Sequence, residues 1–137
     1  MKHKKRLILL LLASLCLLAL AACGNGGQPQ VTATVQVTLI DMAGNQLLDA
    51  ETSVASAAPN AEEAVKQACK ENNIPMTLTG GMFDGFGGQK STQTDGWLLY
   101  INDKQAEKGA ADIPIQDGDQ IAFRYENYDE AFYNQGE

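Results

Sequence analysis

From residue 31 to residue 40, apolar and polar positions alternate. Val31, Ala33, Val35, Val37 and Leu39 fall on one side, and Thr32, Thr34, Gln36 and Thr38 on the other. A period of two is the pattern of a strand with one buried face. Asp41-Met42-Ala43-Gly44-Asn45 supplies turn chemistry, and residues 46–51 predict a shorter returning strand. The period then changes. Ala61, Ala64, Val65, Ala68 and Cys69 recur at helical spacing and make one apolar face, with Lys66, Gln67 and Lys70 turned to water. Asn60 is a suitable N-cap, and Glu63 stands three residues on, as in a capping box. Glu62 and Glu63 also suit the positive end of the helix dipole. The helix is expected to end near Asn72-Asn73, ahead of Ile74-Pro75.

Residues 76–79 predict a short strand. Residues 80–88 hold five glycines in nine positions and are expected to be a loop. It is not a phosphate loop, since the Lys-Ser/Thr ending is missing. Two readings stay open. Met82, Phe83 and Phe86 are exposed contacts for a ligand or partner, or the aromatics tuck under the loop and the glycines only permit its path. Trp97-Leu98-Leu99-Tyr100-Ile101 reads as a strand, turned by Asn102-Asp103-Lys104. Residues 109–116 form a loop. Asp117-Gly118-Asp119 is a tight turn into a last strand with Ile121, Phe123 and Tyr125 inward. Residues 127–137 are an acidic tail with Tyr128, Phe132 and Tyr133, expected to extend that strand or to stay disordered.

Before residue 31 the pattern differs. A basic run, Met1-Lys2-His3-Lys4-Lys5-Arg6, precedes an apolar stretch from residue 7 to residue 22. This is the layout of a secretory signal, and it falls short of the about 20 apolar residues that a membrane span needs. Leu20-Ala21-Ala22-Cys23-Gly24 resembles the lipobox of bacterial lipoproteins. The resemblance implies a leader over residues 1–22, cleaved, with Cys23 carrying the lipid, rather than an uncleaved anchor. Residues 23–30 then form a flexible tether, and the expected location is extracytoplasmic, lipid-anchored to the bacterial cell membrane. Two or three acyl chains explain stable anchoring, because one chain alone is marginal.

Charge and cysteine content narrow the chemistry. The chain has 137 residues with ten Lys and Arg, of which Lys2, Lys4, Lys5 and Arg6 lie in the leader. Six then face seventeen Asp and Glu, a net charge of −11. No basic patch is available for phosphates, so nucleic acid is not an expected partner. The one histidine, His3, also lies in the leader, which leaves no Ser-His-Asp or Cys-His catalysis and no histidine-ligated metal. Cys16 leaves with the leader and Cys23 is lipidated, so Cys69 stands alone and no internal disulfide forms. Cys69 lies on the apolar helix face and reads as a small core residue rather than a reactive thiol.

Gly96-Trp97, Tyr100-Ile101-Asn102, Gly109-Ala110 and Asp117-Gly118-Asp119 with Ile121 and Tyr125 resemble the C-terminal domain of transcobalamin and intrinsic factor. The pattern also resembles a bacterial surface domain of unknown function. The likeness spans residues 31–126. It implies an α+β fold, a small β-grasp-like mixed sheet packed on one helix. In transcobalamin this domain closes over cobalamin together with a large helical domain, for which no counterpart is expected here.

Three functions compete. The first is a ligand-binding lipoprotein, with cobalamin or another corrinoid as the small molecule. Phe83, Phe86, Trp97 and Tyr100 would supply its flat apolar surface, unless Trp97 and Tyr100 are core residues. The second is a divalent-metal site, calcium above all, from Asp117 and Asp119 or from Glu126, Asn127, Asp129 and Glu130. No segment has the EF-hand spacing, and a solvated acidic surface explains the same residues. The third is a protein-interaction or adhesion module on the cell surface. An enzyme is not expected, because no acid–base pair is placed for one.

Overall fold

The computed structural model describes residues 26–133. The leader, Cys23 and the end of the tail lie outside the described residues. Strands β1 (Val31–Ile40) and β2 (Gln46–Ser56) pair antiparallel, from Val31 opposite Ser56 to Ile40 opposite Gln46. Ala33, Val35, Val37 and Leu39 are buried, as the alternation predicts. The Asp41 carboxylate accepts from the Asn45 backbone N–H at 2.8 Å and from Asn45 Nδ2 at 3.0 Å, which closes the turn. Strand β2 does not stop at residue 51. Its second half is rich in Ser and Ala and has little pattern of its own. The register with β1 orders it, by giving those backbone groups partners and by burying Thr52 and Val54.

Helix α1 (Ala61–Glu71) starts on Asn60, whose Oδ1 accepts from the Glu63 N–H at 3.0 Å. The reciprocal half of the capping box is not made. Glu63 instead accepts from the Ser56 hydroxyl at 2.9 Å and ties the helix to β2. Ala61, Ala64, Val65, Ala68 and Cys69 are all buried, and their small size lets α1 lie close on β1 and β2. Asn72 caps the other end, and Asn73 at φ 55° reverses the chain.

The expected glycine-rich loop is a hairpin system. Strands β3 (Met76–Thr79), β4 (Met82–Phe86) and β5 (Gln89–Lys90) make a three-stranded antiparallel sheet. Gly80-Gly81 and Gly87-Gly88 are the two-residue turns, with φ of 60°, 80°, 59° and 86°. Such turns need positive φ at both positions, which glycine adopts freely.

Strands β6 (Asp95–Ile101), β7 (Lys104–Gln105) and β8 (Gln120–Asn127) complete a five-stranded sheet in the order β2-β1-β8-β6-β7. It is mixed: β8 runs parallel to β1 and antiparallel to β6. Asp117-Gly118-Asp119 fixes that parallel pairing. Asp117 Oδ1 accepts from the Thr34 N–H at 2.7 Å, Gly118 N–H donates to Thr34 O at 2.9 Å, and Gln36 N–H donates to Asp119 O at 3.0 Å. One face of the large sheet is covered by α1 over β1 and β2 and by the small sheet beside β6 and β8; the other face is polar. Beyond β8 the tail does not extend the strand. Residues Tyr128–Tyr133 form a short helix, α2, against β8. The architecture is α+β and mostly strand.

Candidate functional site

Five aromatic rings occupy the space between the two sheets. Phe86, fully buried, has its ring centre 5.1 Å from Trp97, 5.0 Å from Phe123 and 5.2 Å from Phe83. Trp97 meets Tyr125 edge to face at 5.2 Å. The polar tips are satisfied by the short strand above them: Trp97 Nε1 donates to Gln89 O at 2.8 Å, and the Tyr125 hydroxyl donates to Lys90 O at 2.9 Å. Phe83, Phe86 and Trp97 are therefore core residues that clamp the small sheet to the large one. Of the two open readings, the tucked one describes Phe83 and Phe86.

Tyr100 is not in this group. It stands three residues from Trp97 in the same strand, and an odd spacing turns a strand side chain to the opposite face. There its hydroxyl donates to Glu126 at 2.5 Å, and the Arg124 guanidinium lies 4.3 Å above its ring. Arg124 also pairs with Asp103 at 2.9 Å. Burial, and then Glu126, push the Tyr100 hydroxyl up to about 12. The four aromatic candidates thus divide between two faces of one sheet.

The acidic candidates divide as well. Asp119 Oδ2 accepts from the Gln116 N–H at 3.0 Å and its Oδ1 from Asn102 Nδ2 at 3.0 Å, while Asp117 serves Thr34. Asp129 and Glu130 follow the far end of β8, about 25 Å away at the usual 3.3 Å per strand residue. There the Asn127 side chain caps both of their N–H groups, at 3.1 and 3.3 Å. Among the described residues, no three of His, Cys, Asp and Glu gather as metal ligands. Cys69 is buried, and burial pushes its thiol up to about 11.

The concave surface with exposed apolar walls adjoins this aromatic cluster. A cleft of about 390 Å³ opens beside β6. Phe83, Trp97, Leu99 and Phe123 form its floor, the 105–110 segment one wall, and Met82 and Phe132 its rim. Met82 is 66% exposed and Phe132 61% exposed, so two large apolar side chains stand in solvent at the mouth of one cleft. Met82 has a clear cause: it follows Gly80-Gly81 at the tip of the first hairpin. Phe132 and the 105–110 wall are not visible as site residues in the sequence. Phe132 falls in a tail without period, and Ala106, Gly109 and Ala110 carry no chemistry that would single them out. Leu98 and Lys108 also border the cleft, which places one cation at its edge.

Residues 60–127, from the cap of α1 to the end of β8, match a family described as a domain of unknown function (DUF4430). Among curated proteins, none matches the chain in sequence. A solved structure from Ruminococcus gnavus, described as a "putative metal binding protein", is similar at a TM-score of 0.52 and 14% identity, over 69% of this chain and 97% of that one. Haptocorrin in complex with Cbi is similar at a TM-score of 0.56 and 16% identity, over 78% of this chain. This chain matches 28% of the length of haptocorrin. At these identities the likeness is one of fold alone, shared with the matched part of haptocorrin.

Proposed function

We propose that the chain is a non-enzymatic ligand-binding module, and that the cleft rimmed by Met82 and Phe132 is its site. The single observation that carries this reading is the placing of two exposed apolar rim side chains over a concave apolar floor, the form that small-molecule sites usually take. The ligand favoured is flat and largely apolar. A corrinoid fits that description, and the haptocorrin likeness supports it. A corrin with its side chains is larger than the cleft, so only one edge of the ring would enter. The rest would face solvent or a partner protein.

The same reading takes the sheet as β-grasp-like, supported by the parallel pairing of the first and last strands and by the helix that follows the first hairpin. It takes residues 1–22 as a leader, Cys23 as the lipid anchor and residues 23–30 as a tether that presents the module outside the cell, supported by the sequence pattern alone. Calcium is the weaker reading, because Asp117 and Asp119 already accept hydrogen bonds from Thr34, Asn102 and Gln116, and at neither end of β8 do three metal-ligating side chains gather among the described residues.

The test is calorimetry on residues 24–137, which contain the whole described core, against cobalamin and cobinamide, with calcium in a separate titration. Binding at micromolar strength or tighter, about −8 kcal/mol, supports the reading. The variants Met82→Ala and Phe132→Ala should each weaken it while the melting temperature holds. Heat with calcium and none with either corrinoid would overturn it.

A further inference from the structure

We infer that Tyr128 is the positioning residue of this cleft: seated on Gly96, it holds Phe132 in place as the outer wall. The ligand arm of this inference rests on the function proposed above; its structural arm does not. Helix α2 has six residues and none of them is buried, so it is far too short to be stable by itself. Something at its root must fix it. The Asn127 side chain caps the Asp129 and Glu130 N–H groups and also donates to Asp95 Oδ1 at 3.0 Å. The Tyr128 N–H donates to Thr94 O at 2.9 Å.

The decisive contact is the Tyr128 ring. Gly96 is buried in β6, and a Cβ there would overlap the Tyr128 hydroxyl and come within 2.7 Å of its Cζ. Gly96 is not one of the glycines with positive φ, so space rather than backbone conformation calls for glycine. The missing side chain is the socket and Tyr128 is the pin. Phe132 lies four residues beyond Tyr128, hence on the same side of the helix one turn on. Seating the pin therefore sets the direction of Phe132, which faces the cleft beside Met82 and Trp97.

Trp97 is the one tryptophan of the chain, so its fluorescence reports on this wall. Acrylamide quenching on residues 24–137 should rise about twofold or more in Tyr128→Ala and in Phe132→Ala as the wall detaches from its weakly held base. Tyr128→Phe, which keeps the ring, should leave it unchanged. Gly96→Ala, which fills the socket and keeps the pin residue, should match Tyr128→Ala, and it decides the matter if Tyr128→Ala fails to fold. Because the new Cβ would also press on Ser91 Oγ, which accepts from the Trp97 N–H, Ser91→Ala is the control and should leave quenching unchanged. The double variant Tyr128→Ala with Phe132→Ala should quench no more than Phe132→Ala, because both act through one wall. Cobinamide affinity should follow the same non-additive pattern wherever the parent chain binds it. If the parent does not bind, the proposed function fails and quenching alone decides the pin. Unchanged quenching in Tyr128→Ala and Gly96→Ala, or full additivity in the double variant, would overturn the inference.

Discussion

At the scale of single residues, Phe83, Phe86 and Trp97, singled out in the sequence, pack between the sheets, and Phe83 and Trp97 also floor the cleft. Trp97 and Phe86 hold the two sheets together, and Phe86 touches three other rings. Truncating it removes those contacts and leaves a cavity between two sheets that cannot both collapse into it. Phe86→Ala should therefore destabilise by about 3–5 kcal/mol, read from urea melts. A loss below about 1 kcal/mol, within the range of exposed surface sites, would mean that the small sheet docks by other contacts. Some of this was legible beforehand. Tyr100 is three positions on from Trp97, an odd step that in a strand already forbids a common face. Phe132 was not legible, because its neighbours carry no periodicity and only the fold shows where the chain returns.

At the scale of elements, the caps and the alternating strands were readable, since each depends on neighbours in sequence. Asn60 caps α1 and Ala33, Val35, Val37 and Leu39 are buried, as their spacing predicts, whereas Glu63 turns to Ser56 and Val31 at the start of β1 is exposed. The glycine-rich segment misleads if glycine is counted by density. By position it is informative: Gly80-Gly81 and Gly87-Gly88 are spaced by a strand and are the pairs that two-residue turns require. No atom within 4 Å would meet a Cβ on Gly81, yet its φ is 80°. Gly81→Ala should thus cost about 1–2 kcal/mol, the usual penalty for an L-residue in the left-handed region, with no steric part. It should also loosen the Met82 tip. Thermal melts give the first quantity and amide exchange at Met82 the second; a neutral substitution would show that the turn relaxes to another type. The second half of β2 was hidden for the opposite reason, its order coming from β1 and not from its own residues.

At the scale of the whole molecule, the α+β class followed from the order of elements, while the rim and wall of the proposed cleft did not, because they come from a hairpin tip, a loop and the tail. The titrating groups also act together at this scale. Hydrogen bonds from Asn45 to Asp41, from Gln67 to Glu71, from Thr79 to Asp84 and from Thr94 to Asp95 hold these four carboxyls below their ordinary values. Lowered values contribute stability that is present above the ordinary carboxylate range and lost as pH falls through the folded values, so the fold should weaken below about pH 4. Cys69 and Tyr100 work in the other direction. Each loses a proton to become charged, and each is raised, to about 11 from 9.0 and to about 12 from 10.0. Their contribution is complete below the ordinary values and lost as pH climbs towards the raised ones. The one histidine, His3, lies outside the described residues, and none of the residues in the described fold ordinarily titrates between these limits. The melting temperature should stay level from about pH 5 to about pH 8 and fall on both sides. Cys69→Ala should lower the plateau slightly through a small cavity and should remove the first part of the alkaline fall, leaving the part due to Tyr100. An alkaline limb unchanged in Cys69→Ala would show that the buried thiol is not what limits the fold at high pH, and a slope within the plateau that another group titrates there.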